Sequence, residues 1–434
     1  MQTRLTILFL LLMVVCSTQL GVFPLVTGQA ENSPNVFVGI DIAYGDVDEI
    51  KNWVDEIGSY TNLFVLGCTG VTQDRLKLEE ACQYLFDNDL FFIIYQDYPL
   101  GLTWISSANS SWLETAKARW GSHFLGFYYT DEIGGRQLDL FPNWVTVEKA
   151  DNYSDASRQF NTRIRGSVNW FRNSYNGGQD VTLFTSDYAL YHFDYRAGYD
   201  VLLAQFGWNY SRQLNAALCR GAATAQDREW GVIVTWTYQQ PPYIGSGEEL
   251  YNDLLCAYDN GAKYILVFDS NKEYTGSILK QEHLDSLKQF WQYTKQNPRK
   301  LNPVSERTAY ILPADYAYGF RGPNDKIWGL WEADSLSAPM SLELGSLLQQ
   351  YDYKLDIVYQ DELGLGSNKE YKSIIYWNTS NPVSPTSQEA TSKQPRDGFL
   401  NTYFPAFLII ISTTLAVAVS SAFYFKQRKS KFTK

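Results

Sequence analysis

"VFVGIDIAYGDVDEI", Val36 to Ile50, decides the fold. An apolar run passes through a short polar turn into a helix signal. Asp46 and Glu49 read as a capping box, and Val47, Ile50, Val54 and Ile57 fall on one helical face. A strand feeding directly into a helix is the repeating unit of an α/β fold. An open doubly wound sheet would usually carry a Gly-rich phosphate loop after this first strand, and "IDIAYGDVDEI" offers no G-x-G-x-x-G.

The same rhythm continues outward from this unit. "NLFVLGC" leads to a helix from Asp74 to about Asp87, "LFFIIYQDYP" leads to "SWLETAKARWGSH", and "FLGFYYTDE" follows. A helical stretch near Ala156 to Tyr175 precedes "DVTLFTSDYALY", and "DVLLAQFGWN" leads to a helix containing Leu214 to Ala223. "WGVIVTWTYQQ" precedes a second capping box, Ser246 with Glu249, and a Gly261 stop; "KYILVFDSN" precedes a helix from Ile278 to Lys295. Eight β/α units with near-continuous apolar strands, in roughly 265 residues, predict an α/β protein built on a closed (β/α)8 TIM barrel over residues 35–300.

Beyond the linker "NPRKLNPVSER", the runs "RTAYILP", "PMSLELGSLLQQYD", "KLDIVYQD" and "KSIIYWN" alternate as β, α, β, β. They predict a small α/β accessory domain over residues 304–380. Its aromatic loop "ADYAYGFRGPNDKIWGLWEAD" could pack over the barrel mouth.

Both ends of the chain carry targeting signals. Arg4, the apolar run Leu5 to Val15 and the small residues ending in "TGQA" predict a signal peptide over residues 1–30. Residues 381–402 are rich in Ser, Thr, Pro and charge and read as a stalk. The uncharged stretch at 403–425 is long enough to span a bilayer as one transmembrane helix, and the basic segment at 426–434 marks its cytoplasmic side. The expected location is therefore the cell membrane, single-pass, with the N-terminal bulk outside and the lipid bilayer as one partner. An archaeal surface protein fits these parts best, and a eukaryotic type I protein has the same ones.

An oxidising exterior and an even number of mature cysteines predict two disulfides, with Cys68–Cys82 and Cys219–Cys256 as the favoured pairings. Sequons stand at Asn109, Asn152, Asn209 and Asn378. The net charge of −11 argues against a nucleic-acid partner, which would need clustered Lys and Arg. No P-loop, dinucleotide fingerprint or G-x-S-x-G elbow occurs, and no cofactor is implied.

In a barrel the chemistry gathers where the strands end, and side chains alternate between the interior and the helices. That alternation places Glu132 inward and Asp131 toward the helices or the following loop. It also places Asp41 inward on the first strand, Tyr95 and Asp97 on the third, Gln205 on the sixth, Thr235, Thr237 and Gln239 on the seventh, and Asp269 at the end of the eighth. Asp187 closes the fifth. A ring of carboxylates around one mouth repels itself unless a metal ion or glycoside hydrolysis uses it. Only three histidines exist, none spaced for zinc, so no metal is assigned. Aromatic residues make up 16% of the chain, and Tyr95, Tyr128, Trp208 and Trp236 stand beside strand ends, where flat apolar faces suit sugars.

With these residues in place, the chain resembles the barrel glycoside hydrolases of the clan whose acid/base Glu ends the fourth strand. The matching stretch is "YYTDE", Tyr128 to Glu132, within a likeness running from about Asn35 to Arg299. The resemblance implies a general acid/base role for Glu132 and a glycan or polysaccharide substrate. That clan has Asn before this Glu and a nucleophilic Glu ending the seventh strand; here Asp131 and "TWTYQQ" stand instead. The second carboxylate is thus open between Asp269, Asp41, Asp97 and Glu248. Asp131, Tyr95, Tyr128, Asp187, Gln205, Trp208, Trp236 and Gln239 are assigned to substrate binding. Some barrel glycosidases also carry a degenerate α/β domain after the barrel, and Arg307 to Asn378 looks similar. The competing expectation is a non-catalytic glycan-binding or surface-layer protein on a decayed barrel, favoured by the missing seventh-strand Glu.

Overall fold

The computed structural model describes residues 34–96, 111–174, 178–360 and 370–378. Eight parallel strands close into a barrel in sequence order: β1 (Phe37–Ile42), β2 (Leu63–Leu66), β3 (Phe91–Gln96), β4 (Phe124–Tyr129), β5 (Leu183–Asp187), β6 (Val201–Phe206), β7 (Glu229–Val234) and β8 (Tyr264–Asp269). β1 pairs with β8 in the register Phe37 to Tyr264, which shuts the ring. The eight-unit expectation and the barrel are therefore met.

Two apolar layers follow from strand alternation. Phe37, Leu63, Val65, Ile93, Tyr128, Phe184, Val201, Leu203, Ile233, Tyr264 and Leu266 fill the interior, while Val38, Ile40, Phe64, Phe92, Phe127 and Ile265 pack outward under the helices. Gly39 and Gly231 keep the interior narrow: a Cβ at Gly39 would lie 1.5 Å from the Leu63 carbonyl oxygen.

The first helix, Val47–Ile57, buries the four predicted residues Val47, Ile50, Val54 and Ile57. Its cap is only half of a box. The Asp46 side chain accepts from the Asp48 and Glu49 amides, whereas Glu49 Oε1 accepts from the Tyr44 hydroxyl at 3.2 Å. The Ser246 and Glu249 box is complete. Three short helices beyond the predicted set, Thr69–Thr72, Ile133–Asp139 and Tyr191–Ala197, follow β2, β4 and β5.

After the barrel, β9 (Thr308–Leu312), the helix Ser337–Tyr351, β10 (Leu355–Tyr359) and β11 (Ser373–Tyr376) form a parallel sheet in the order β10-β9-β11. This sheet leans on the helix Arg212–Gln226, whose inner side is made of small residues. A Cβ at Gly221 would lie 2.2 Å from the Ile357 carbonyl oxygen, so only glycine admits β10 there.

The disulfide expectation is overturned: Cys68, Cys82, Cys219 and Cys256 are all free. Their thiols are held apart by the elements that carry them. Cys219 Sγ faces the Leu202 carbonyl of β6, and Cys256 Sγ faces Gln213 Oε1 on the neighbouring helix, each at 3.9 Å. Cys68 and Cys82 are buried in the apolar layer outside β2. Among the described residues no helix is long and apolar enough to cross a membrane. The expected signal peptide, stalk, 403–425 span and basic tail lie outside the described residues, as do Asp97 and Asn109. Asn152, Asn209 and Asn378 are exposed; the Asn152 side chain also caps the helix Tyr153–Asn173 through the Asp155 amide.

Candidate active site

The mouth is built where β4 stops. Regular pairing ends at Tyr129, and Thr130 and Glu132 both take left-handed backbone, with φ of 57° and 53°. A β-branched residue in this region is strained, and such strain tends to mark functional positions. Alternation therefore fails past Tyr129. Asp131 does not turn toward the helices: its Oδ1 accepts from the Tyr128 hydroxyl at 2.7 Å and the Ser186 hydroxyl at 2.6 Å, both from interior positions. Asp131 and Glu132 thus both belong to the mouth.

Gln205 joins them. Its Nε2 donates to Glu132 Oε1 at 3.0 Å and to Ser186 Oγ at 2.8 Å, so one amide spans both carboxylates through a single hydroxyl. The Glu132 carboxyl is pushed up to about 8, first by burial and then by the charge of Asp131, against the lowering effect of the Gln205 bond. At neutral pH it holds its proton.

Asp187 fixes this turn from outside. It is fully buried, faces the helices, and accepts from the amides of Gly134 at 2.6 Å, Gly135 at 2.8 Å, Tyr188 at 2.7 Å and Ala189 at 3.1 Å. Burial still raises its carboxyl to about 6 despite these donors. Glycine suits positions 134 and 135, where the chain passes close to its neighbours: a Cβ at Gly135 would lie 2.1 Å from Cζ of Tyr188. Asp187, expected to bind substrate, is instead an anchor for the loop that presents Glu132.

Asp269 is also displaced from its expected place. The last residue of β8 shares its side with the outward-packed Ile265 and Val267, and it accepts from Tyr44 at 3.1 Å, Ser277 at 2.8 Å and the Ile278 amide at 2.9 Å. Asp269 is thus engaged as an acceptor for the loop after β8, on the helix side of the barrel. Asp41 does lie inward, 4% exposed, with Oδ1 against Gly67 and without a hydrogen-bond partner. Burial and then Asp131 raise its carboxyl well above the usual range.

The aromatic rim follows the predictions in part. Tyr95 lies inward beside Tyr128, ring centroids 5.3 Å apart. Trp236 donates from its indole to the Ser270 carbonyl and accepts, through its own carbonyl, the Trp208 amide. Gln239 is exposed on the Tyr238–Tyr243 turn, away from the network. Ser186 and Tyr274 were missed. Alternation along "LFTSD" would have found Ser186, which shares the Phe184 side. Tyr274 sits on the loop after β8 at φ 55°, 58% exposed, and its phenol is raised first by burial and then by Asp131, Glu132 and Asp41. No strand pattern could announce it. Among the described residues no three His, Cys, Asp or Glu side chains gather as a metal-ligand set.

The sequence matches no protein-family model and no curated protein. Solved structures with a similar course include a GH5_18 protein from Streptomyces cattleya in complex with GlcNAc, at 10% identity, covering 79% of this chain and 98% of that one with a TM-score of 0.49. A GH5_18 protein from Bifidobacterium longum, in complex with Manb1-4GlcNAc, gives 11%, 82%, 99% and 0.49. Alpha-L-fucosidase isoenzyme 2 from Paenibacillus thiaminolyticus gives 8%, 78%, 59% and 0.46. The barrel itself stands on its own strand pairing.

Proposed function

We propose that this protein hydrolyses a glycosidic bond at the barrel mouth, with Glu132 as the general acid. The observation that carries this function is a half-buried Glu132 carboxyl, raised to about 8 beside Asp131 and held by Gln205. A carboxylic acid kept protonated at neutral pH next to a second carboxylate is what glycoside cleavage requires. Glu132 gives its proton to the leaving oxygen as the bond to the anomeric carbon breaks. Asp131, aligned by Tyr128 and Ser186, stabilises the positive charge that develops on the sugar and then takes a proton from the attacking water. Asp41 supplies a third carboxyl at the same mouth, and Tyr274 and Tyr95 offer aromatic faces to the sugar.

The apolar 403–425 segment and the N-terminal leader support placing this barrel outside the cell, anchored to its membrane, with residues 304–380 as an accessory domain. The test is hydrolysis of a panel of aryl glycosides and natural glycans by the full chain, with Glu132→Gln as control. Turnover lost in Glu132→Gln supports the assignment; equal turnover in both removes Glu132 from the mechanism.

One observation favours a second function. β7 ends at Val234 and is followed by Thr235 and Trp236, with no carboxylate where the resembled clan carries its nucleophile. A glycan-binding protein would retain a ligand on both the wild-type chain and Glu132→Gln without cleaving it.

A further inference from the structure

Where β7 begins, at the opposite end of the barrel from the mouth, a pocket of about 120 Å³ opens between the barrel and the three-stranded sheet. Arg220 and Arg307 line it, with Asn302 and Tyr353 on its walls. Both arginines bind a single fully buried carboxylate, Asp356: Arg220 Nε reaches Oδ1 at 2.6 Å and Arg307 Nη1 reaches Oδ2 at 2.7 Å. Two guanidinium charges share one negative charge, and a buried net charge is costly unless something offsets it.

The two arginines differ in what they have left to offer. Arg220 has a partner on every nitrogen, with Nη1 on Asn260 Oδ1 at 2.8 Å and Nη2 on the Leu355 carbonyl at 2.6 Å. Arg307, 8% exposed, spends only Nη1, on Asp356 and at 3.3 Å on Thr224 Oγ1, and its buried Nε has no partner. Asp259 also lines the pocket but forms no ion pair with either arginine among the described residues; burial and Asp352 hold its carboxyl above the usual range.

We propose that this pocket binds one small oxyanion, of the inorganic phosphate or sulfate class, on the remaining donors of Arg307. With Nη1 spent and Nε buried, Nη2 is the donor left for one oxygen of such an ion, and the volume holds the ion together with water. The anion supplies the missing counter-charge where Arg220 of the barrel and Arg307 of the sheet converge on Asp356, and so ties the sheet to the barrel. This site is independent of the chemistry at the mouth.

The experiment titrates sodium phosphate into the full chain at constant ionic strength, with chloride as reference, and follows heat of binding and Tm. One saturable site is expected, with a Tm that rises with phosphate concentration, competition by sulfate and weaker binding of acetate. Asn302→Asp places a like charge on the half-buried wall without touching the arginine bonds. It is expected to weaken phosphate by roughly tenfold or more, while the phosphate-free Tm holds or rises because the new carboxylate lies beside the same uncompensated arginine charge. Equal Tm shifts in phosphate and chloride, or phosphate binding indifferent to Asn302→Asp, would overturn the proposal.

Discussion

Gln205 Nε2 lies 3.0 Å from Glu132 Oε1, a contact between the inward side of β6 and the turn that ends β4. The same nitrogen holds Ser186 Oγ at 2.8 Å, and that hydroxyl donates to Asp131. One amide therefore sets the separation of the two adjacent carboxylates.

Gln205→Leu removes that donor while keeping the volume near constant. Because the bond lowers the Glu132 pKa, its loss raises the proton affinity further and frees the side chain. On any glycoside the wild-type chain cleaves, kcat/KM is expected to fall roughly 10²-fold. The basic limb of the pH profile should move upward, a shift that a purely structural defect would not produce.

Glu132 also makes stability depend on pH. Its folded pKa, about 8, lies above the ordinary value of 4.5, so the folded state holds an extra proton between those two pH values. Stability contributed by the proton is present below about 4.5 and is lost as pH rises through about 8. Glu132→Gln should abolish this slope. The variant gains on wild type by a few kcal/mol as an order of magnitude at pH 9 and by little at pH 4.5, measured by denaturant melts across that range. Parallel curves would refute the buried-proton account.

Asp187→Ala deprives four backbone amides of their acceptor, at Gly134, Gly135, Tyr188 and Ala189. A loss of at least about 3 kcal/mol is expected, since each buried unsatisfied donor costs on the order of 1–3 kcal/mol. Asp187→Asn retains an oxygen acceptor and should lose less. Urea unfolding of the two variants ranks them.

Reduction should leave the fold untouched. With Cys68, Cys82, Cys219 and Cys256 free and burial raising their thiols, Tm with and without a reductant is expected to agree. The buried Cys68, Cys82 and Cys219 should react with a thiol-modifying reagent only after denaturation. A drop in Tm on reduction would restore the disulfide expectation.

The barrel was legible because its signal is local and repeated. Val47, Ile50, Val54 and Ile57 declare a helical face, and Phe37 with Leu63 and Ile93 declare strand interiors, wherever the chain goes next. The inward positions of Asp41, Tyr95 and Gln205 followed from the same period of two. Prediction failed where the period stops. Strand alternation alone turns Asp131 away from the barrel interior, yet two left-handed residues beside it bring it back to the mouth. Asp269 and Asp187 looked like mouth acids because they end strands. Their positions on the helix side instead make them acceptors for loops.

The sequence by itself determined the eight β/α units and the place of Glu132 just past the end of β4, because hydrophobic period and capping are properties of short segments. Only the tertiary structure decided which carboxylates share the mouth and which thiols stay apart. Those outcomes rest on contacts between residues distant in the chain, such as Gln205 with Glu132 and Arg220 with Asp356, where burial and a partner's charge set what each group does.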